Sequence, residues 1–457
     1  MNKDLLLLRI GHRKLILREF QFGRFMNLRA FIVSVLCIGL LTACGGGAVS
    51  SINLMPSPEV FVSTDIDPFP DNGSQQKIQH TKLFYVTDRE PATAQDSALR
   101  YTSERGHIMR AGTATVSMSP EAKTWEDVRS ITQSKPRNRK YKLSLDEVNE
   151  IGPLPTDGVK YLDNPPTSAE MAATGRAFAS QINTQLASSG TNDIYIYIHG
   201  YKNAFERPVL VSRELQHFLG YQGAFISFGW PATPNNFAYF KDLETAGATV
   251  RNLRQLLVFL SENTKARKIH LLGYSAGSRL VFEATHQIAL AGNSAKQNAN
   301  GKGVRLGQVI LVGSDIDPSY FGQALADGLL EVPEHFTVYS SSKDAALGFA
   351  SLVFARPRLG QIWSTEELNP TLGKELKNLD NLSLIDVTDA ESSTSGNGHG
   401  YFRSSPWVSS DLFLSLIYRR PPIERGLFRQ DSSPVWRFPV NYPDLLAQIV
   451  KDAERAR

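Results

Sequence analysis

Residues 268–291 read KIHLLGYSAGSRLVFEATHQIALA, and the remaining sequence is best interpreted outward from them. Residues 268–272 form a short apolar run typical of a buried strand, and residues 278–291 have the apolar spacing of a helix. Between them lies Gly273-Tyr274-Ser275-Ala276-Gly277, a G-x-S-x-G sequence. This motif is informative when a strand precedes it and a helix follows it, as here. We therefore predict a sharp turn at Ser275, hereafter the elbow, between a strand and a helix.

Apolar runs and helical patterns also alternate on both sides of the elbow, which is typical of an α/β sheet. Predicted strands span residues 83–87, 113–118, 194–198, 224–228, 268–272, 308–313, 336–340 and 383–387. Predicted helices span residues 168–186, beginning at a capping Ser168, and residues 207–218, 242–261 and 278–291. The sequence thus predicts an α/β fold with one principal sheet.

Ser275 is the predicted nucleophile. A side chain on either flanking glycine would crowd the neighbouring strand or helix, which explains why both positions are glycine. A serine hydroxyl needs a histidine base, and the histidine needs a carboxylate that orients it. In elbow-type hydrolases the chain order is serine, acid, histidine.

His399 is the predicted base, because it lies in the glycine-rich segment Gly396-Asn397-Gly398-His399-Gly400 after a predicted strand. His286 lies on the helix of the elbow, and His335 opens a predicted strand, so we expect a structural role for His335. The ring of His399 should lie near hydrogen-bonding reach of the Ser275 hydroxyl.

Three carboxylates are candidates for the acid. Asp344 follows the second strand after the elbow, and Asp315 and Asp317 follow the first. The later strand usually carries the acid, which favours Asp344. The alternative role for Asp315 and Asp317 is to order a loop or cap a helix, and Asp317 precedes Pro318.

The oxyanion of an acyl-transfer intermediate needs two N–H donors. We predict the backbone N–H of Ala276, which follows the nucleophile, and that of Tyr201, in the loop after the strand that ends at His199. Gly200 would let a substrate approach that loop, and His199 is expected to order it. This machinery requires no metal ion and no organic cofactor.

The amino-terminal 43 residues have the pattern of a bacterial signal peptide. Basic residues precede an apolar run from Ala30 to Leu41, which is too short to span a bilayer. The run ends in Leu41-Thr42-Ala43-Cys44, which resembles a lipoprotein box in which Cys44 is acylated. The only other cysteine, Cys37, lies in the segment that would be removed.

The charge balance argues against a nucleic-acid partner. The chain has 49 Lys and Arg against 45 Asp and Glu, but seven of these basic and two of these acidic residues lie in residues 1–43. The remainder has no basic excess and no nucleic-acid motif, so phosphate backbones have little to bind.

The predicted domain organisation has four parts. A signal peptide (1–43) is followed by a flexible tether (44–78), rich in Gly, Ser, Pro and Asp. Residues 79–420 form the catalytic domain, with an N-terminal extension and a polar insertion at about 119–165. Residues 421–457 form a C-terminal extension with a possible helix from Pro443.

Six segments together resemble the bacterial esterase/lipase-like α/β-hydrolase family of unknown function, over about residues 80–420. They are YVTDR (85–89), IHGYKNAF (198–205), FGWP (228–231), GYSAGSRL (273–280), SKDAAL (342–347) and HGYF (399–402). The resemblance implies an α/β-hydrolase fold, with a mostly parallel sheet and helices on both faces. It also implies a triad of Ser275, Asp344 and His399.

The predicted function is a lipid-anchored serine hydrolase that cleaves an ester or thioester through an acyl-enzyme. An amidase or peptidase with the same triad, and a non-catalytic envelope lipoprotein, are the alternatives. The expected partners are an ester substrate, small or lipid, and the membrane through acylated Cys44. Gly45 follows Cys44, whereas Asp there usually signals inner-membrane retention, so we expect the periplasmic face of the outer membrane. No oligomeric state follows from the sequence.

Overall fold

An eleven-stranded sheet runs through the described residues of the protein, for which we use a computed structural model. The structure describes residues 50–69, 82–93, 100–137, 139–157, 159, 162–235, 237–293, 296, 303–361, 370–430 and 433–455. The predicted signal peptide and Cys44 lie outside these residues. All described residues belong to one compact unit.

The strands, numbered along the chain, are β1 (Ser51–Asn53), β2 (Leu83–Pro91), β3 (Tyr101–Ser119), β4 (Lys142–Pro153), β5 (Asp193–Ile198), β6 (Ala224–Gly229), β7 (Lys268–Tyr274), β8 (Leu306–Val312), β9 (His335–Ser340), β10 (Leu382–Asp386) and β11 (Val435–Arg437). Their order in the sheet is β1-β4-β3-β2-β6-β5-β7-β8-β9-β10-β11. In the order of the sheet, every pair of neighbouring strands from β2 through β6 to β11 is parallel. Strands β3, β4 and β1 extend the sheet beyond β2 as an antiparallel edge.

The α-helices span Glu59–Ser63, Trp125–Gln133, Ser168–Ala187, Glu206–Phe218, Tyr239–Asn263, Gly277–Leu290, Pro318–Ala326, Ala345–Phe354, Pro370–Lys377, Tyr401–Ser404, Pro406–Phe413 and Tyr442–Arg455. The predicted helix over residues 168–186 is present, but its cap is Thr167 and not Ser168, because the Thr167 side chain accepts a hydrogen bond from the Glu170 N–H. No helix among these is both long enough and apolar enough to cross a membrane.

The central parallel strands are buried on both faces. In β5, Ile194, Ile196 and Ile198 point into the apolar core on one side of the sheet, and Tyr195 and Tyr197 point into the core on the other. This follows from the alternation of side chains along a strand.

Helices cover both cores. The helices Ser168–Ala187, Tyr239–Asn263 and Gly277–Leu290 pack over the isoleucine side of β5. The helices Glu206–Phe218 and Pro406–Phe413 pack over the tyrosine side. The predicted mostly parallel sheet with helices on both faces is therefore confirmed.

The segment predicted as a polar insertion, residues 119–165, contributes a strand to the sheet. It contains the helix Trp125–Gln133 and the strand β4, which pairs along most of β3. Most β4 side chains are only partly buried or exposed. The pairing therefore comes from backbone hydrogen bonds, and the sequence lacks the apolar pattern of a core strand.

The predicted flexible tether is wrong for residues 51–69. Strand β1 pairs with β4, and the helix Glu59–Ser63 buries Val60 and Phe61 completely or nearly so. Apolar side chains in this segment bind it to the domain, because leaving them in water would be unfavourable. The extension after residue 420 likewise supplies β11 and the helix Tyr442–Arg455.

Candidate active site

The elbow has the strained backbone expected of a nucleophile turn. Ser275 follows β7 directly and has φ of 54°, in the left-handed region that a serine rarely adopts. The turn is fixed on both sides, because the Ser275 N–H donates to the Val312 carbonyl (2.9 Å) and the Ser275 carbonyl accepts from the Ser278 N–H (2.9 Å). These bonds hold the Ser275 side chain at the carboxyl edge of the parallel strands.

The flanking glycines are required by close packing. A Cβ on Gly277 would lie 2.3 Å from the His199 carbonyl oxygen, and a Cβ on Gly273 would lie 2.8 Å from Val281 Cγ2. Both distances are too short for any side chain. The physical reason given for the glycines of the motif therefore holds in the structure.

His399 and Asp344 form a buried pair. Asp344 follows β9 and His399 lies in the loop after β10, and His399 Nδ1 is 2.6 Å from Asp344 Oδ2. Asp344 is 1% exposed and His399 is 4% exposed. Because a carboxylate can only accept, Nδ1 is the donor in this hydrogen bond. Asp344 Oδ1 accepts from the Leu347 N–H, which fixes the carboxylate (3.0 Å).

Ser275 and His399 line the same cleft, of about 230 Å³, at the carboxyl ends of β5, β7 and β10. His399 Nε2 has no hydrogen-bond partner among the described residues, the Ser275 hydroxyl included. Catalytic hydrogen bonds are often long without substrate and tighten in the complex. The arrangement can carry out nucleophilic attack with a nearby base that is oriented by a carboxylate.

The two alternative acids have other partners. Asp315 Oδ2 accepts from Tyr239 Oη (2.6 Å) and from Arg279 Nε (3.2 Å). Asp317 caps the helix Pro318–Ala326 by accepting from the Ser319 N–H. The carboxylate on His399 is that of Asp344.

The other histidines near the sheet have structural partners. His335 Nε2 lies 2.8 Å from Ser383 Oγ. His199 stacks on Trp230, and its Nδ1 donates to the Gly200 carbonyl (2.7 Å). Burial, together with the positive charge of Arg89, lowers the pKa of His199 to about 3. His199 is therefore neutral at ordinary pH and orders the loop that follows β5.

The loop after β5 lies against the nucleophile. A Cβ on Gly200 would be 2.8 Å from Ser275 Cβ, so only glycine allows this approach. Tyr201 lines the cleft, and Ala276 is buried at the start of the helix Gly277–Leu290. The predicted oxyanion donors thus belong to the two segments that adjoin Ser275.

Residues without a predicted role hold this loop in place. Asn203 Nδ2 donates to the carbonyls of Gly200 (3.0 Å) and Tyr201 (2.9 Å). The buried Arg89 donates to the Asn203 carbonyl (2.7 Å), and Asp242 accepts from the Lys202 N–H (3.3 Å). Burial lowers the pKa of Arg89 to about 10, so its guanidinium stays charged at neutral pH. Arg89 and Asn203 lie in segments that carry the family resemblance, and this was the available sequence signal.

Tyr401 holds the ends of two strands together near His399. Its hydroxyl accepts from the Gly313 N–H (2.7 Å) and donates to the Tyr339 carbonyl (2.9 Å). It thereby connects the ends of β8 and β9 two residues after His399. The HGYF segment pointed to Tyr401, but no role could be assigned without the contacts across strands.

A family model matches a long part of the chain. The family described as "Alpha/beta hydrolase of unknown function (DUF900)" matches residues 174–420, more than half of the chain. No curated protein and no solved structure is significantly similar to the chain. The matched residues include the elbow, Asp344 and His399. The chain belongs to the alpha/beta hydrolase family of unknown function DUF900.

Proposed function

We propose that this alpha/beta hydrolase is a serine hydrolase that cleaves an ester or thioester, with Ser275 as nucleophile. The proposal rests chiefly on one observation. His399 Nδ1 donates to Asp344 Oδ2 (2.6 Å), and His399 Nε2 has no hydrogen-bond partner among the described residues. His399 lines the same cleft as Ser275. A buried imidazole that a carboxylate orients, in the same cleft as a strained serine, has the arrangement of a general base.

In the acylation step, the Ser275 hydroxyl oxygen attacks the substrate carbonyl and its proton passes to His399 Nε2. Asp344 stabilises the resulting imidazolium through the Nδ1 hydrogen bond. The oxyanion accepts hydrogen bonds from the N–H groups of Tyr201 and Ala276. The intermediate collapses when His399 returns the proton to the departing alcohol or thiol, which leaves an acyl-Ser275 ester.

In the deacylation step, a water molecule replaces the leaving group. His399 Nε2 removes a proton from this water as the water oxygen attacks the acyl-Ser275 carbonyl. The same two N–H groups bind the oxyanion. The proton then passes to Ser275, and the carboxylic acid leaves. Esters and thioesters are favoured over amides because their leaving groups depart more easily, whereas the triad itself does not select between them.

The proposal is tested by hydrolysis of matched para-nitrophenyl butyrate, butyryl thioester and butyryl anilide. We expect turnover of the ester and thioester by the wild type, little turnover of the anilide, and no turnover by Ser275→Ala. Faster cleavage of the anilide would make the protein an amidase. Equal ester turnover by wild type and Ser275→Ala would remove Ser275 from the reaction.

We further propose that Cys44 carries the lipid that anchors the protein to the periplasmic face of the outer membrane. The support is the sequence Leu41-Thr42-Ala43-Cys44 after a short apolar run, followed by Gly45. The two or three acyl chains of a mature lipoprotein bind a bilayer stably, whereas one chain alone binds only marginally.

Metabolic labelling with palmitate tests the anchor. Wild-type protein should be labelled and fractionate with the outer membrane, and Cys44→Ser should be unlabelled while its domain still folds. Palmitate on Cys44→Ser would contradict the lipidation site. Wild type confined to the inner membrane would contradict the proposed location.

A further inference from the structure

The side chains that line the catalytic cleft carry an excess of positive charge. Lys202, Arg207 and Arg403 line it together with Ser275 and His399, and none of its described lining residues is Asp or Glu. A cleft of one charge sign attracts ligands of the opposite sign.

Arg403 is neutralised by the protein. Its Nη2 lies 3.0 Å from Glu214 Oε1, and its Nε also donates to Glu214. Glu214 is completely buried, and its pair with Arg403 supports the cleft wall. Arg403 therefore contributes little free charge to a ligand.

Arg207, unlike Arg403, has no acidic partner among the residues that the structure describes. It lies in the first turn of the helix Glu206–Phe218 and is partly exposed. It forms no ion pair and no hydrogen bond with any other described residue. Its charge acts on Tyr197, another residue of the cleft, where it opposes the increase in pKa that burial causes.

An unpaired guanidinium in a cleft is well suited to an anion. Its planar set of N–H donors matches a carboxylate or a phosphate in a two-bond arrangement, and such charge-assisted bonds are about twice as strong as neutral ones. A neutral substrate would leave these donors to water.

We propose that the cleft binds esters that bear a carboxylate or phosphate group, with Arg207 as the residue that binds this anion. The inference rests on the proposed serine-hydrolase function, and it adds the substrate class. Arg207 is a specificity residue in this scheme and takes no part in proton transfer or attack.

The test measures binding, so that it does not depend on catalysis. Calorimetry on the full-length Ser275→Ala protein compares three anilides of similar chain length: pentanoyl (neutral), glutaryl (carboxylate) and the phosphonate analogue of the glutaryl compound. We expect at least one anionic anilide to bind about tenfold or more tightly than the neutral one at low salt. The tighter of the two identifies the anion class.

When Arg207→Gln is added to the Ser275→Ala protein, the affinities for the anionic and neutral anilides should differ by no more than about twofold. Arg207→Lys should retain part of the preference for the anionic anilides, because the positive charge remains. Arg254→Gln is the matched control, since Arg254 is also partly exposed but lines a different groove, and it should leave the preference unchanged. Equal binding of all three anilides, or a preference that survives Arg207→Gln, would overturn the proposal.

The same variants separate this inference from the proposed reaction. If the preference is present but neither ester nor thioester is hydrolysed, the anion site stands and the serine-hydrolase assignment fails. If esters are hydrolysed without a preference for anionic ones, the hydrolase assignment stands and the anion site fails.

Discussion

At the scale of single residues, Asp344 performs two functions with its two oxygens. Oδ1 caps the helix Ala345–Phe354, and Oδ2 holds His399 Nδ1–H. An asparagine can still cap through its oxygen, but its NH2 group cannot accept the imidazole proton. The substitution Asp344→Asn therefore acts mainly on the histidine.

We predict that Asp344→Asn lowers the rate of ester hydrolysis by about 10³-fold or more, because the imidazole loses its correct tautomer. The free energy of unfolding should change by about 1 kcal/mol or less, because asparagine caps a helix about as well as aspartate does. Asp317→Asn also alters a helix cap and should leave the rate unchanged. Wild-type rates in Asp344→Asn would exclude Asp344 as the orienting acid.

The candidate triad residues could be predicted from the sequence, whereas the residues that position them could not. Ser275 is marked by its motif, and Asp344 and His399 by chain order. Arg89 reaches Asn203 across 114 residues of sequence, and nothing beside Arg89 in the chain specifies that bond. Positioning contacts of this kind become visible only when strands are assembled.

At the scale of elements, the helix Glu59–Ser63 shows how composition misleads. Its surroundings are rich in Ser, Pro and Asp, yet Phe61 is 1% exposed and stacks on Phe218 at a centroid distance of 6.5 Å. The Val60 N–H donates to Ser410 Oγ, 350 residues away (2.8 Å). The segment thus joins the domain through contacts that a local pattern cannot reveal.

We predict that Phe61→Ala lowers the free energy of unfolding by about 3 kcal/mol, because it leaves a cavity in the core. Urea unfolding measures the effect. Phe237→Ala is the matched control, since that ring is 79% exposed and its loss should cost about 0.5 kcal/mol or less. Equal midpoints for Phe61→Ala and wild type would mean that the segment is not bound to the domain.

Elements with a one-sided or continuous apolar pattern were predicted well, and those without it were missed. The parallel strands β5 to β10 all overlap predicted strands. Strand β4 is mostly solvent-accessible, and β11 has only three residues and is stabilised by its parallel pairing with β10. Neither strand has an apolar period long enough to detect.

At the scale of the whole molecule, histidines in different parts of the fold are held in uncharged form: His199 and His217 are buried, and His335 is partly buried. Burial, aided by nearby arginines, lowers the pKa of His199 and of His217 to about 3, and that of His335 to about 4. In the unfolded chain each would have a pKa of about 6.5. The unfolded state therefore binds more protons than the folded state between these values.

We predict that the contribution of these histidines to stability is fully present above about pH 6.5 and falls as the pH is lowered toward the folded-state pKa values, with net uptake of protons on unfolding near pH 5. Urea unfolding at several pH values between 7.5 and 5 measures the slope. His217→Gln should reduce the slope by about one proton. A pH-independent free energy of unfolding over this range would contradict the buried neutral state.

The central claim concerns the whole assembly, because the elbow, the acid and the base come from three different strand ends and must meet at one cleft. A fluorophosphonate probe followed by peptide mapping tests it most directly, since the probe reacts only with an activated serine and needs no assumption about the substrate. We predict one adduct, on the peptide that contains Ser275, and none in a Ser275→Ala protein that unfolds at the same urea concentration as wild type. Labelling of a different serine, or labelling that persists in Ser275→Ala, would contradict the account.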